Sequence, residues 1–222
     1  MKLKRTFDNG DTMITKKPAK DKLLAAACDI FTEKGFRGAT VAEICARAGT
    51  NIAAVNYYFG GKEPLYQEAW RHCLKESMCR HPPDGGVSPE APPEERLRGQ
   101  MKALMRRIAD PENKDFLISQ MEMVNPTGLL EEVMRMELIP LREKTLAAVR
   151  ELLGPDADEQ RVVFSEACLI SMCVHPMLML RVRQKAKKAE PSRFMNDLEA
   201  FAEHVVRFAL AGVRATSGED AL

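Results

Sequence analysis

Residues 40–62, which read TVAEICARAGTNIAAVNYYFGGK, constrain this chain more than any other stretch. Thr40 and Glu43 have the spacing of a capping box, a hydroxyl three residues before a carboxylate, which satisfies the free N–H groups at a helix start. Val41, Ile44, Cys45 and Ala48 then recur at helical spacing. Gly49 supplies the left-handed residue that helix ends favour. Asn51 can cap a second short helix that ends near Tyr58. Two short helices about a glycine turn form a helix-turn-helix, whose second helix can lie in the major groove of DNA. The same pair also serves as plain packing in many proteins, so the residues that follow it decide its meaning.

Those residues are Asn56-Tyr57-Tyr58-Phe59-Gly60-Gly61-Lys62-Glu63. A core has use for Phe59 but little for adjacent tyrosines beside a lysine. Phenol hydroxyls and an ammonium group are common donors to phosphate oxygens. With DKLLAAA at 21–27, FTEKGF at 31–36 and KEPLY at 62–66, the run resembles the N-terminal domain of TetR/AcrR-family bacterial transcriptional regulators. The resemblance covers roughly the first third of the chain. It implies a recognition helix from Ile52 to Tyr58, with Asn51 as its cap and Ala53, Ala54 and Asn56 approaching base edges. Asparagine can bond adenine at two places, and alanine can meet a thymine methyl. Thr40, Tyr57, Tyr58 and Lys62 are the expected phosphate contacts. Asn56 stands where the family often has an aromatic residue, and Ile52 where it often has a polar one.

Charge is distributed in keeping with DNA at one end. Residues 1–80 carry 14 Lys and Arg against 9 Asp and Glu, or +5, and the remainder carries 19 against 23, or −4. Residues 1–18, with Lys2, Lys4, Arg5, Lys16 and Lys17, read as a basic arm. It is either a solvated tail or a segment that reaches phosphates or the minor groove. The chain's 222 residues can bury a proper core. No apolar run in the sequence approaches the ~20 residues of a bilayer span, and MKLKRTFDNG lacks the apolar block of a secretory signal. The expectation is a cytoplasmic protein without a membrane partner. Six cysteines in mostly helical patterns suit a reducing compartment.

Everything after residue 18 reads as helical. Leu23, Leu24, Ala27, Ile30 and Phe31 form the apolar face of a first helix that Gly35 ends, with Phe36 over its end. A longer helix runs from Lys62 to Cys79, and Pro64 is acceptable in its first turn. His81 to Pro93 has the composition of a linker loop. Helices follow at 97–108, after Asp110-Pro111, at 129–153 with a kink at Pro140, and after Gly154-Pro155 with Pro176 near the end. A basic stretch at 181–188 precedes a last helix carrying Phe194, Leu198, Phe201, Val205, Phe208 and Ala209. The fold class is therefore all-α: a three-helix DNA-binding head with a helix-turn-helix, plus a larger helical bundle for effector binding and dimerisation. The expected division is an arm at 1–18, a DNA-binding domain at 19–66, a helical domain at 67–215 with a linker at 81–93, and a tail at 216–222.

Nine of the thirteen methionines fall in the later helices. They serve as core filler or as the lining of an adaptable apolar pocket. The candidate pocket residues are Met101, Met105, Met121, Met134 and Met172, with Phe116, Gln120, Cys168 and His175. Cys168, Met172 and His175 share one helix face. Residues 116–127 and 151–157 resemble the CecR-like branch of TetR/AcrR regulators, which implies control of transport or drug-sensitivity genes. The family resemblance implies a homodimer through the last two long helices; dimerisation as such also follows from DNA physics, since one short recognition helix reads too few base pairs. It also implies a double-stranded operator and a small-molecule effector of unknown identity.

No nucleophile elbow, phosphate loop or dinucleotide fingerprint is present, so neither catalytic residues nor a cofactor are expected. His72, Cys73, Cys79 and His81 invite a metal reading. On one helix, however, His72 and Cys79 lie ~10 Å apart along the axis, too far for one zinc, and no metal is expected. The two functional readings are a ligand-released repressor and a DNA-binding protein governed by a protein partner.

Overall fold

The computed structural model describes residues 16–185 and 197–216, and every regular element among them is a helix. The elements are α1 (Lys16–Gly38), α2 (Val41–Ala48), α3 (Ile52–Phe59), α4 (Lys62–Arg80), α5 (Pro93–Ala109), α6 (Lys114–Val124), α7 (Glu131–Leu153), α8 (Glu159–Lys185) and α9 (Leu198–Ala215). The expected arm lies outside the described residues, except that α1 begins at Lys16. Phe194 and residues 217–222 of the expected tail also lie outside them.

The chain divides into two compact units. One takes in the residues up to Leu74 together with Lys114–Leu130; the other takes in Lys75–Asn113 and the residues from Glu131 onward. This boundary falls inside α4, and α6 belongs with the head, whereas the sequence pattern assigned all of 67–215 to one domain. Periodicity shows that a face of α6 is buried, but not against what. In the structure α6 packs on α1, and Ile118 is fully enclosed.

Polar contacts fasten the same segment. Trp70 donates from Nε1 to Ser119 Oγ at 2.8 Å, Gln67 donates to the Leu129 carbonyl at 2.8 Å, and Lys114 pairs with Asp29 at 2.6 Å. Arg37 donates to Asn125 Oδ1 and to the Pro126 carbonyl. Glu122 is buried and accepts from the Tyr66 hydroxyl at 3.2 Å, the Thr127 hydroxyl at 2.8 Å and the N–H groups of Thr127 and Gly128 at 2.9 and 3.0 Å. Burial, then the neighbouring carboxylate, pushes the Tyr66 phenol well up, so it stays a donor at neutral pH. The Cys73 thiol is also raised, first by its hydrogen bond with Cys28 and then by burial. These two cysteines are packing groups of the head.

Gly35 ends the regular part of α1 as expected, with φ 66° and ψ 179°. A Cβ there would stand 3.3 Å from the Met121 sulfur, so α6 limits this position as well as the backbone does.

In the second unit α5 packs against α7, α8 and α9, which also pack on one another. Leu97, Met101, Ala103, Met105 and Ile108 are its buried stripe. The expected linker is not a loose spacer. A Cβ on Gly85 would meet the Gly99 carbonyl oxygen at 2.5 Å, and one on Gly99 would meet the Asp84 carbonyl oxygen at 2.4 Å. Two glycines thus let the loop lie directly on α5. Pro140 sits inside α7. Pro176 sits inside α8, which runs on to Lys185, well past the end expected at the proline. Beyond the proline the helix is tied into the bundle: Arg181, five residues on, is buried and donates to the carbonyls of Asn113 at 3.1 Å and Asp110 at 2.7 Å.

By length and composition α8 is apolar enough over Glu159–Val182 to cross a membrane, with only 33% of that window buried within the chain. The sequence shows no unbroken apolar run there because Glu166, His175 and Arg181 interrupt it. Glu166, buried and paired with Arg142, and the buried Arg181 are charges that suit a helix packed in a bundle.

Candidate nucleic-acid interface

The helix-turn-helix is built by its caps. Thr40 Oγ1 accepts the Glu43 N–H at 3.2 Å, and Glu43 Oε2 accepts the Thr40 N–H at 3.1 Å, which closes the capping box. Gly49 ends α2 in the left-handed conformation (φ 65°). Asn51 Oδ1 then accepts the Ala54 N–H at 3.0 Å and starts α3, and Gly60 ends it with φ 81°. α2 is held to α1 by Lys34 with Glu43 at 2.5 Å and by Arg47 with Glu33 at 2.7 Å. The hydrogen bond from Lys34, and those from Thr40, pull the Glu43 carboxyl down to about 2.

Val55 anchors α3 in the head and is fully buried. Around the helix the other residues turn outward. Ile52 is 54% exposed and Tyr57 67%; Asn51, Ala53 and Asn56 are exposed, and Ala54 and Tyr58 are half-buried. The Tyr57 and Tyr58 rings meet edge to face at 5.0 Å. Lys62 is half-buried, with its ammonium 4.3 Å above the Phe36 ring, and burial lowers its pKa. The face of α3 therefore brings together Ile52, Ala53, Asn56 and Tyr57. Thr40 and Asn51 hold the helix ends with their side-chain oxygens.

Of the candidate pocket residues, Phe116, Gln120 and Met121 lie on α6 in the first unit, all half-buried. Met101 and Met105 are core residues of α5. Met134 and Met172 are half-buried on α7 and α8. Cys168 and His175 are exposed on α8, near the exposed Val163 and Phe164. Among the described residues no group of three or more His, Cys, Asp or Glu could hold a metal ion. The sequence reading missed the contacts of Tyr66, Glu122, Arg37 and Phe36. Tyr66 and Glu122 are 56 positions apart, a separation at which no spacing rule operates.

An exposed, polar-aromatic second helix, held by caps at both ends on an all-helical scaffold, defines a helix-turn-helix DNA-binding protein. Residues 23–69 match the model for bacterial regulatory proteins of the tetR family. Residues 93–213 match that for the C-terminal domain of the HTH-type transcriptional dual regulator CecR. The chain belongs to the TetR family of transcriptional regulators, with a CecR-type C-terminal domain.

It is 31% identical over 181 residues to the HTH-type transcriptional dual regulator CecR of Shigella flexneri, covering 74% of this chain and 78% of that protein. It is 27% identical over 176 residues to the HTH-type transcriptional regulator BetI of Rhizobium meliloti, covering 78% and 81%. Among solved structures, a putative transcriptional regulator from Pseudomonas aeruginosa PAO1 shares the fold with a TM-score of 0.67 at 20% identity, over 94% of this chain and 96% of that one. A Clostridium perfringens putative fatty acid metabolism regulator gives 0.64 at 16% identity, over 86% and 97%. Regulators of this family bind DNA and form dimers, and they are not enzymes.

Proposed function

We propose that this regulator is a cytoplasmic repressor that grips a palindromic operator as a homodimer, with α3 of each copy in a major groove, and releases it when a small, largely apolar effector binds. The observation that carries the dimer is an exposed face running along two helices. On α8, Phe164, Cys168, Ser171, His175, Met179 and Val182 are exposed at steps of three and four; on α9, His204, Phe208, Ala211 and Ala215 follow the same rule. Phe164 is 61% exposed and Phe208 62%. Such columns form the seam of a helix bundle, and a second copy would cover both. Cys168 and His175 then belong to that seam. A two-fold dimer presents two copies of α3 to half-sites ~34–36 Å apart.

Thr40, Tyr57, Tyr58 and Lys62 position the head on phosphates, while the outward side of α3 meets base edges. Met101, Met105, Met134 and Met172 are the groups within the second unit best suited to re-pack around an apolar effector, since methionine adapts its shape cheaply. Loss of DNA affinity by a hundredfold needs ~2.7 kcal/mol of coupling. The second reading, control by a protein partner, is favoured by Met123 and Val124, which stand exposed at the end of α6.

Mass spectrometry of the purified native protein, with binding to the DNA upstream of its own gene, tests both. A co-purified apolar molecule that weakens this binding is the expected result. A saturating bound molecule that leaves the affinity unchanged overturns effector control.

A further inference from the structure

The recognition helix reads IAAVNYYF and carries no lysine, arginine, aspartate or glutamate. Guanine is most often read by the forked or pointed cation of Arg or Lys at O6 and N7, and cytosine N4 by a carboxylate. This helix holds neither donor nor acceptor of that kind. The adjoining cap residues carry no cation or carboxylate either, and their oxygens are taken, that of the Asn51 carboxamide by the Ala54 N–H and the Thr40 hydroxyl by Glu43. Among the α3 side chains Asn56 alone has an amide, the group that pairs with adenine N6 and N7.

Ile52 is the unusual neighbour. It occupies the first position of α3, where recognition helices touch base edges, and is 54% exposed although Val55, one turn on, is fully buried. The head leaves an aliphatic side chain uncovered where the groove would meet it. In the major groove the one apolar group that ordinary bases display is the thymine C5-methyl.

We infer that each operator half-site presents a thymine methyl to Ile52 and, close by, an adenine to Asn56, with no guanine read by this helix. Ile52 and Asn56 are four residues apart and so share one side of α3, ~6 Å apart along the axis. That is less than two base steps of ~3.4 Å, so the thymine and the adenine lie one or two base pairs from each other. The assignment rests on the reading that α3 enters the major groove, and deepens it by naming the bases.

The test begins with selection of bound duplexes from random DNA by the full-length protein. In the selected half-site each thymine is then replaced singly by deoxyuridine, which lacks only the methyl, and affinity is read by fluorescence anisotropy. One position should weaken by roughly fourfold, the value of one buried methyl group. That penalty should vanish in Ile52→Ala, whose exposed site leaves folding intact, and persist in Ile52→Val. Asn56→Ala should relax the adenine preference one or two base pairs away by roughly 5- to 100-fold. A deoxyuridine penalty that survives in Ile52→Ala, or no penalty at any position, overturns the inference while DNA binding stands. Failure to select any sequence overturns it together with the major-groove reading beneath it.

Discussion

The two units expose different chemistry, and the contrast shows what each waits for. The head exposes a short face of mixed character, Ile52, Ala53, Asn56 and Tyr57, on an eight-residue helix fixed by caps. The bundle exposes long columns on α8 and α9 in which Phe164, Met179, Val182 and Phe208 alternate with Ser171, His175 and His204. A narrow face with one amide, one phenol and a few methyl groups suits base edges and phosphates. A column several turns long with two exposed phenylalanines and further apolar groups suits another helix pair. On the proposed reading one chain thus carries two unfinished surfaces, one for nucleic acid on α3 and one for its own copy on α8 and α9.

The most severe way to break this contrast is to charge the bundle columns. Phe164→Glu with Phe208→Glu should raise the dimer dissociation constant by at least ~100-fold, because unpaired carboxylates would be buried at the seam. Analytical ultracentrifugation at several concentrations reads this directly. A variant that stays dimeric would move the interface elsewhere.

The head is next. Glu122→Ala leaves the Tyr66 hydroxyl and the N–H groups at 127 and 128 without their acceptor and should cost about 2–4 kcal/mol. Trp70 is the chain's single tryptophan and sits in this unit, so its fluorescence reports head unfolding by itself. An unshifted Trp70 transition would show that the Glu122 cluster does not hold the head. Thr40→Ala should cost ~1 kcal/mol through loss of the cap, by the same signal.

Lys62→Ala acts on binding more than on folding. Specific and unrelated DNA should weaken alike, with the salt slope reduced by about one. A change confined to sequence preference would remove Lys62 from the phosphate contacts.

The smallest effect separates the units by pH. Glu43 in the head and Glu203 in the bundle are each held down to about 2, Glu43 by hydrogen bonds from Lys34 and Thr40 and Glu203 by those from Lys102 and Arg98. A folded-state pKa below the unfolded value contributes stability above the ordinary carboxyl range that is lost as pH falls through the folded value. Acid titration between pH 4.5 and about 2 should therefore weaken both units. Both carboxylates are partly open to solvent, so salt should screen the effect. Glu43→Gln should flatten the Trp70 profile and Glu203→Gln should not; equal flattening by both would mean that the units titrate as one body.

Much of the head was legible because its signals are local. A capping box spans four residues, a glycine stop is one residue, and the structure realises both at Thr40–Glu43 and Gly49 as the spacing predicts. Asn51 is likewise the cap that its chemistry suggests. The helix at Pro176 shows the opposite case. Local rules end it near the proline, yet Arg181 and the surrounding bundle carry α8 onward. The loop after His81 has the composition of a spacer, and only the approach of Gly85 to Gly99 shows that it is packed.

The sequence by itself determined the helical class, the helix-turn-helix with its caps, and the family to which the chain belongs. All of these rest on residues within a turn or two of one another. Tertiary structure decided that α6 is fastened to the head, that Glu122 collects donors from Tyr66, Thr127 and Gly128, and that Ile52 is left bare while Val55 is enclosed. Each of those depends on which face meets which partner. Periodicity reports that a helix has an apolar side, but what covers that side depends on residues far apart in the chain.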